Sequence, residues 1–130
     1  MTIFGDTSAL VALFRTDDSN HKKAKELSKK LEDKSGIISN YIFAETVTVL
    51  SQKIGKQLTI IAAQTIRQIF KEIRIDQDID ELAWEIFKKQ KSKNVSLVDC
   101  TTIALFQKGI FDQLFTFDTD FKNNKVAILE

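Results

Sequence analysis

Short apolar segments alternate with longer segments of helical periodicity along the 130-residue chain. The apolar segments are too uniformly hydrophobic to have one solvated face, which is typical of parallel strands that are covered on both sides. This alternation favours an α/β fold with three layers, in which a short parallel sheet lies between helices. With 43% apolar residues, the chain is sized for a single domain over residues 1–130.

The expected elements are bounded by polar breaks and by four glycines, because the chain contains no proline. Gly55 and Gly109 lie where helices are expected to end. Apolar runs predict five strands, at 3–5, 36–39, 73–75, 113–117 and 126–129. The spacing of apolar residues predicts six helices, at 8–14, 21–31, 40–54, 58–70, 79–89 and 96–109.

Charge and cysteine content restrict the class of protein only weakly. The 19 Lys and Arg nearly balance the 18 Asp and Glu, so net charge argues neither for nor against a polyanionic partner. A single cysteine suits a reducing compartment, and no apolar run is long enough to cross a membrane. The residues after Met1 lack the basic and apolar regions of a signal peptide. We therefore expect a cytoplasmic protein without a membrane segment.

Four acidic residues stand beside apolar segments where an uncompensated charge would be costly. Asp6 and Asp118 each follow a predicted strand, whereas Glu45 and Asp99 lie in the first turns of predicted helices. Ligands of parallel α/β sheets bind at the carboxyl ends of the strands, and all four acids can face that edge. Converging carboxylates suit a hard divalent cation, so the pattern predicts a metal-dependent phosphodiester enzyme.

Each acid also has an ordinary structural explanation. Asp6 is placed to cap the following helix, and Asp99 lies three residues after Ser96, as in a capping box. Asp118 and Asp120 flank a turn, where acids are common. Glu45 lies on a polar edge of its predicted helix, so solvent exposure would also explain it. Taken together, four such acids at one sheet edge favour a shared partner.

Each of the four acids lies within a short motif of apolar and small polar residues. The motifs are Asp6-Thr7-Ser8-Ala9-Leu10, Ala44-Glu45-Thr46, Leu97-Val98-Asp99-Cys100-Thr101 and Thr116-Phe117-Asp118-Thr119-Asp120-Phe121. Together they resemble the motifs of the PIN-domain family, and within it the small VapC-type toxins of toxin–antitoxin pairs. The resemblance covers the whole chain, although Cys100 stands where the family often has a small residue and the tail after Phe121 is short.

The resemblance implies an endoribonuclease that uses Mg²⁺, with Mn²⁺ as a substitute, and cleaves single-stranded or structured RNA. From the metal chemistry we hypothesise hydrolysis that leaves a 5′-phosphate. The implied catalytic acids are Asp6, Glu45, Asp99 and Asp118. The implied metal ligands are Asp6, Asp99 and Asp118, with Asp120 as an auxiliary. We expect nearby hydroxyls to hydrogen-bond the acids or bound water, namely those of Thr7, Ser8 and Thr116.

Partners follow from the same resemblance. It implies a homodimer and an antitoxin protein that wraps the helices at 8–14 and 40–54. A lysine-rich segment is a candidate for holding RNA phosphates at the rim of the site, although a solvated helix end explains it equally well. Its residues are Lys88, Lys89, Lys91 and Lys93.

Two other functions remain to be weighed. A PIN-like fold that binds RNA or protein without cleavage is the main alternative, and the complete set of acids argues against it. A receiver-type signalling domain needs two adjacent acids after the first strand, whereas Asp6 stands alone there. His21 and Cys100 are interpreted as structural residues, because neither has a catalytic partner nearby in the sequence.

Overall fold

A computed structural model describes residues 1–31 and 35–130. Its centre is a four-stranded parallel sheet with the order β3-β2-β1-β4. Phe4 of the central strand lies opposite Ile37 on one side and Leu114 on the other. The strands are β1 Ile3–Gly5, β2 Gly36–Ser39, β3 Lys71–Ile73 and β4 Gln113–Phe115.

Helices cover both faces of this sheet, which confirms the predicted three-layer α/β fold. Ile3 and Phe4 are successive strand residues, so they point to opposite faces and belong to two different apolar clusters. The Phe4 cluster includes residues of α3 to α6, and the Ile3 cluster includes residues of α1 and α2. The helices are α1 Thr7–Phe14, α2 His21–Ser28, α3 Asn40–Ile54, α4 Lys56–Ile69, α5 Gln77–Lys89, α6 Leu97–Gln107 and α7 Asp120–Asn123.

The third strand lies two residues earlier than its hydrophobicity predicted, at 71–73 and not at 73–75. Phe70, just before it, is buried against Gly5 and Gly36, where a Cβ atom on Gly36 would lie 2.9 Å from the Phe70 ring. This packing sets where the chain enters the sheet, so Lys71 pairs with Ile37 although its own side chain is exposed. Tertiary contact therefore overrides the local apolar pattern here.

Other element boundaries also differ from the sequence predictions. The segment 126–129 makes only one isolated bridge, between Leu114 and Ile128, and does not form a strand. Helix α2 ends at Ser28, not at residue 31, and α4 begins at Lys56, directly after Gly55. The short helix α7 was not predicted. Within the described residues, none of the helices combines the length and apolar character that crossing a membrane requires.

Polar caps begin several helices at the carboxyl edge of the sheet. Asp6 accepts a hydrogen bond from the Ser8 amide at the start of α1, and Ser39 accepts one from the Ile42 amide at the start of α3. Ser96 and Asp99 form a reciprocal capping box at the start of α6. These caps determine where the helices begin, and they so place acidic side chains at the carboxyl edge of the sheet.

Candidate active site

One cavity of about 540 Å³ at the carboxyl edge of the sheet collects the four acids predicted to be catalytic. They come from four separate places along the chain: the end of β1, helix α3, the first turn of α6 and the turn after β4. The acids are Asp6, Glu45, Asp99 and Asp118. The remaining lining residues are Thr7, Ser8, Val11, Asp18, Asn20, Val49 and Phe117.

Asp6 is the most buried of these acids, with 3% of its surface exposed. Its Oδ2 atom accepts hydrogen bonds from Thr116 Oγ1 at 2.7 Å and from Ser8 Oγ at 2.9 Å. Burial raises the pKa of Asp6, these hydrogen bonds lower it, and the negative charge of Glu45 raises it slightly. The hydroxyls therefore offset part of the effect of desolvation, and the pKa of Asp6 remains above its ordinary value.

The same two hydroxyls connect the first turn of α1 to the turn after β4. Ser8 Oγ and Thr116 Oγ1 lie 3.1 Å apart. The Phe117 amide donates to Ser8 Oγ, and the Asp118 amide donates to Thr116 Oγ1, both at 3.0 Å. Both hydroxyls thus contact Asp6 and the backbone of the turn that contains Asp118. The third predicted supporting residue, Thr7, lines the cavity and accepts a hydrogen bond from Thr46 Oγ1 at 3.5 Å.

Asp99 is both a helix cap and a member of the cavity. Its Oδ2 atom accepts a hydrogen bond from the Ser96 amide at 3.0 Å, and its own amide donates to Ser96 Oγ at 3.0 Å. Burial raises the pKa of Asp99 to about 6, and the negative charges of Asp6 and Asp118 add to this increase. Asp99 therefore caps α6 and at the same time lines the acidic cavity.

Asp118 and Asp120 have different positions. Asp118 lines the cavity, and its Oδ1 atom accepts a hydrogen bond from the Asp120 amide at 2.9 Å. Asp120 begins α7 and is not part of the cavity lining. Of the two, Asp118 is therefore the better placed to bind a ligand in the cavity.

The donor set fits a hard divalent cation. Four carboxylates give only oxygen ligands, and the repulsion of Asp99 by Asp6 and Asp118 shows that negative charge accumulates there. Within residues 1–31 and 35–130, no three Asp, Glu, His or Cys side chains are already arranged as a metal-binding group. Mg²⁺ retains several waters and needs only one or two direct carboxylate ligands, so such an arrangement is not required.

The lysines predicted for the rim do not line this cavity. All four side chains are exposed, and Lys88 Nζ lies 2.9 Å from Glu85 Oε1. The residues concerned are Lys88, Lys89, Lys91 and Lys93. Their positions suit a solvated helix end as well as a phosphate contact.

Sequence reasoning missed Asp18 and Asn20, which reach the cavity from the turn between α1 and α2. In the sequence they read as polar residues before a helix, and only the packing of α2 beside α1 brings them to the site. His21 supports that packing, because its Nδ1 atom lies 2.8 Å from the Ala12 carbonyl oxygen. Cys100 is buried, and desolvation raises its pKa to about 11, so it supplies no thiolate near neutral pH.

The PIN domain family matches residues 3–126 of this chain. The chain belongs to that family. A PIN-domain relative, the 23S rRNA-specific endonuclease VapC20 of Mycobacterium tuberculosis, is 30% identical over 122 residues, which is 92% of this chain and 91% of the relative. The same relative occurs in two strains, CDC 1551 / Oshkosh and H37Rv.

Solved structures agree with this PIN-domain assignment. The crystal structure of M. tuberculosis VapC20, a sarcin-ricin loop cleaving toxin, matches with a TM-score of 0.87 and 28% identity over 97% of both chains. A toxin–antitoxin complex from Klebsiella pneumoniae matches with a TM-score of 0.66 and 25% identity, covering 92% of this chain and 88% of that one. VapBC2 from Rickettsia felis, bound to promoter DNA, shares the fold with a TM-score of 0.65 and 20% identity, covering 100% and 98%.

A Thr116→Val substitution tests the hydroxyl support of this PIN-domain site. Valine keeps the shape but removes the 2.7 Å hydrogen bond to Asp6, so the pKa of Asp6 should rise further. We expect divalent-metal affinity at neutral pH to fall about 10- to 100-fold, as measured by Mn²⁺ titration calorimetry. Thr65→Val is the matched control, because the Thr65 hydroxyl donates to the Ile61 carbonyl of its own helix, away from the cavity. Unchanged affinity in Thr116→Val would contradict the expected role.

An Asp99→Asn substitution should change how stability depends on pH. The folded state keeps the Asp99 proton up to about pH 6, above the ordinary value of 3.8, so ionisation destabilises the metal-free fold as pH rises from about 4 to about 6. Asn removes this effect and should be more stable than wild type by about 1–2 kcal/mol at pH 7, because partial exposure screens the charge. Urea denaturation at several pH values measures the difference. A difference that does not grow between pH 4 and pH 7 would refute the expectation.

Proposed function

We propose that this chain is a metal-dependent endoribonuclease that uses Mg²⁺, with Mn²⁺ as a substitute, and acts as the toxin of a toxin–antitoxin pair. The observation that carries the proposal is the cavity at the carboxyl edge of the sheet, where four acids from four separate elements converge. Helix capping does not explain Glu45, because it lies within α3 and still lines the same cavity as the capping acids.

The roles follow from the position of each acid. Asp6, Asp99 and Asp118 would hold the cation. Asp120 would contribute indirectly, because its backbone amide donates a hydrogen bond to Asp118 Oδ1. When bound, the cation lowers the pKa of water and stabilises negative charge on the phosphate. Glu45 lines the same cavity from α3, and it would accept a proton from the attacking water. The hydroxyls of Ser8 and Thr116 orient Asp6 and favour its ionised form.

The reaction is hydrolysis of one RNA phosphodiester bond. Water forms a new bond to phosphorus while the bond to the 3′ oxygen breaks, so the products are a 3′-hydroxyl and a 5′-phosphate. Catalysis by the RNA 2′-hydroxyl would instead leave a 2′,3′-cyclic phosphate. Mass spectrometry of the product ends distinguishes these reactions.

The names of the relatives support structured ribosomal RNA as the first substrate to test. VapC20 is named as a 23S rRNA-specific endonuclease and as a sarcin-ricin loop cleaving toxin. The exposed lysines between residues 88 and 93 would meet RNA phosphates outside the acidic cavity. We expect the protein to act in the cytoplasm, where such RNA is found.

An antitoxin partner is supported by the toxin–antitoxin complexes among the structural relatives. Helix α3 presents Glu45 and Val49 to the acidic cavity, whereas Phe43 and Val47 line an apolar groove of about 320 Å³ against α4. Exposed apolar side chains of α4 extend this surface, as Leu58, Ile60 and Ile61 do. We expect the surface formed by α1, α3 and α4 to bind the antitoxin, and we expect the toxin itself to form a homodimer, which light scattering would measure.

The deciding experiment is cleavage of end-labelled 23S rRNA and total RNA by purified protein in Mg²⁺, Mn²⁺ or EDTA. An Asp99→Asn preparation, purified in parallel, controls for contaminating nucleases. We expect discrete cleavage products with either metal and none with EDTA. Equal RNA retention by both proteins without cleavage in any metal would overturn the proposal in favour of a non-catalytic binding module.

A further inference from the structure

We propose that the turn between α1 and α2 recognises an unpaired guanine next to the scissile phosphate, through Asp18 and Asn20. The inference deepens the proposed ribonuclease function and rests on it. Both residues line the acidic cavity. Asp118, which lines the same cavity, comes from the turn after β4, far away in the sequence. Neither belongs to the predicted catalytic set, so their presence in the cavity needs another explanation.

The turn holds Asp18 in a fixed orientation. The backbone amide of Asn20 donates to Asp18 Oδ1 at 2.8 Å, and the backbone amide of Asp18 donates to the Arg15 carbonyl at 3.0 Å. The His21 amide donates to the Asp18 carbonyl, also at 3.0 Å, and the His21 ring contacts Ala12 of α1. A carboxylate that is oriented before the ligand arrives loses little conformational entropy on binding.

The polar groups of these two side chains remain available for a ligand. Among the described residues, the Asn20 side chain makes no capping bond to α2, and Asp18 Oδ2 makes no hydrogen bond. Both residues are partly exposed and line the cavity, so a ligand bound in the cavity can contact them. Val11, Val49 and Phe117 line the same cavity and give apolar contact for the face of a base.

The chemistry of the turn selects guanine among the four bases. Sequence-specific readers of RNA bind unpaired bases by their Watson–Crick edges. Guanine presents two adjacent donors, N1–H and the N2 amino group, which match the two oxygens of one carboxylate. The O6 acceptor of guanine lies next to these donors and suits the side-chain amide of Asn20, which can donate a hydrogen bond to it. Adenine and cytosine place an acceptor beside their single amino donor, and uracil has one donor between two acceptors, so Asp18 would repel part of each edge.

The experiment uses hairpin RNAs in which the loop nucleotides are randomised, with cleavage read by sequencing. Guanosine should be required at one position relative to the cut. Replacing it with inosine removes the N2 amino group and should lower kcat/KM about 10- to 100-fold for the wild type. In Asp18→Asn this difference should disappear. Asp17→Asn is the matched control, because Asp17 is exposed, pairs with Arg15 and lies outside the cavity lining.

A second readout separates this inference from the proposed function. Binding of guanosine and inosine hairpins is measured in Ca²⁺ by fluorescence anisotropy, so it requires no turnover. Equal binding of both hairpins by the wild type would overturn guanine recognition, even if the RNA is cleaved. Asp18→Asn should retain the Mn²⁺ affinity of the wild type. If the variant instead loses Mn²⁺ affinity and cleaves every loop sequence equally poorly, Asp18 supports the metal and the inference is wrong.

Discussion

Replacing Asp99 with Asn should lower metal-dependent RNA cleavage by about 1000-fold, although the protein stays folded. The substitution removes one negative charge from the cavity that Asp6 and Asp118 share with it. Weaker cation binding and weaker stabilisation of the phosphate then raise the activation free energy by about 4 kcal/mol. Single-turnover cleavage of a labelled RNA over a range of Mg²⁺ concentrations measures the loss and separates weaker cation binding from slower chemistry.

Two further variants separate the catalytic role of Asp99 from its capping role. Ser96→Ala removes the side-chain half of the capping box and should cost about 1 kcal/mol of stability, with cleavage nearly unchanged. Asp78→Asn removes an exposed acid from the first turn of α5, outside the cavity, and should also leave cleavage unchanged. If Ser96→Ala lost activity as severely as Asp99→Asn, the capping box and not the carboxylate charge would be what matters.

Phe4→Ala should cost about 3–5 kcal/mol in the free energy of unfolding, as expected for removing a buried aromatic ring from a core. Phe4 is fully buried in the central strand, and its ring stacks on Phe111 with centroids 4.9 Å apart. It also lies two residues before Asp6, so its packing holds the strand from which the most buried acid of the cavity emerges. Chemical denaturation measures the change.

The matched control is Phe87→Ala on α5, because Phe87 also stacks on an aromatic ring but is 38% exposed. Exposed positions contribute far less, so this variant should lose less than about 1 kcal/mol. Phe4→Leu keeps the site apolar and remains measurable if the alanine variant does not fold. An equal loss in Phe4→Ala and Phe87→Ala would show that the core around β1 is not what stabilises the site.

Local sequence signals predicted the parts of this fold that depend on local chemistry. The uniformly apolar β1, the serine that caps α6 and the glycine that ends α3 each act within a few residues, so each can be read from the chain. The four acids were found because their carboxylates stand out beside apolar segments. Their convergence followed from one general rule, that parallel strands present their carboxyl ends at the same edge.

The missed features depend on contacts between residues distant in the sequence. β3 begins at Lys71 because Phe70 packs against two glycines of neighbouring strands, which no local pattern reveals. α7 is four residues long, too short for apolar periodicity to indicate it. Asp18 reaches the cavity only because α2 packs beside α1, and before folding it is one polar residue among several.

The hydroxyl bridge between Ser8 and Thr116 has a consequence for synthesis on the ribosome. It joins residues 108 positions apart, so Asp6 acquires its Thr116 partner only after β4 has docked beside β1. Translation proceeds from the N-terminus, so Asp118 is synthesised after Asp6, Glu45 and Asp99. A nascent or prematurely released chain that stops before Thr116 therefore contains Asp6, Glu45 and Asp99 but has no complete cavity. In the proposed ribonuclease, the set of acids is therefore complete only after β4 and the turn that follows it have joined the sheet.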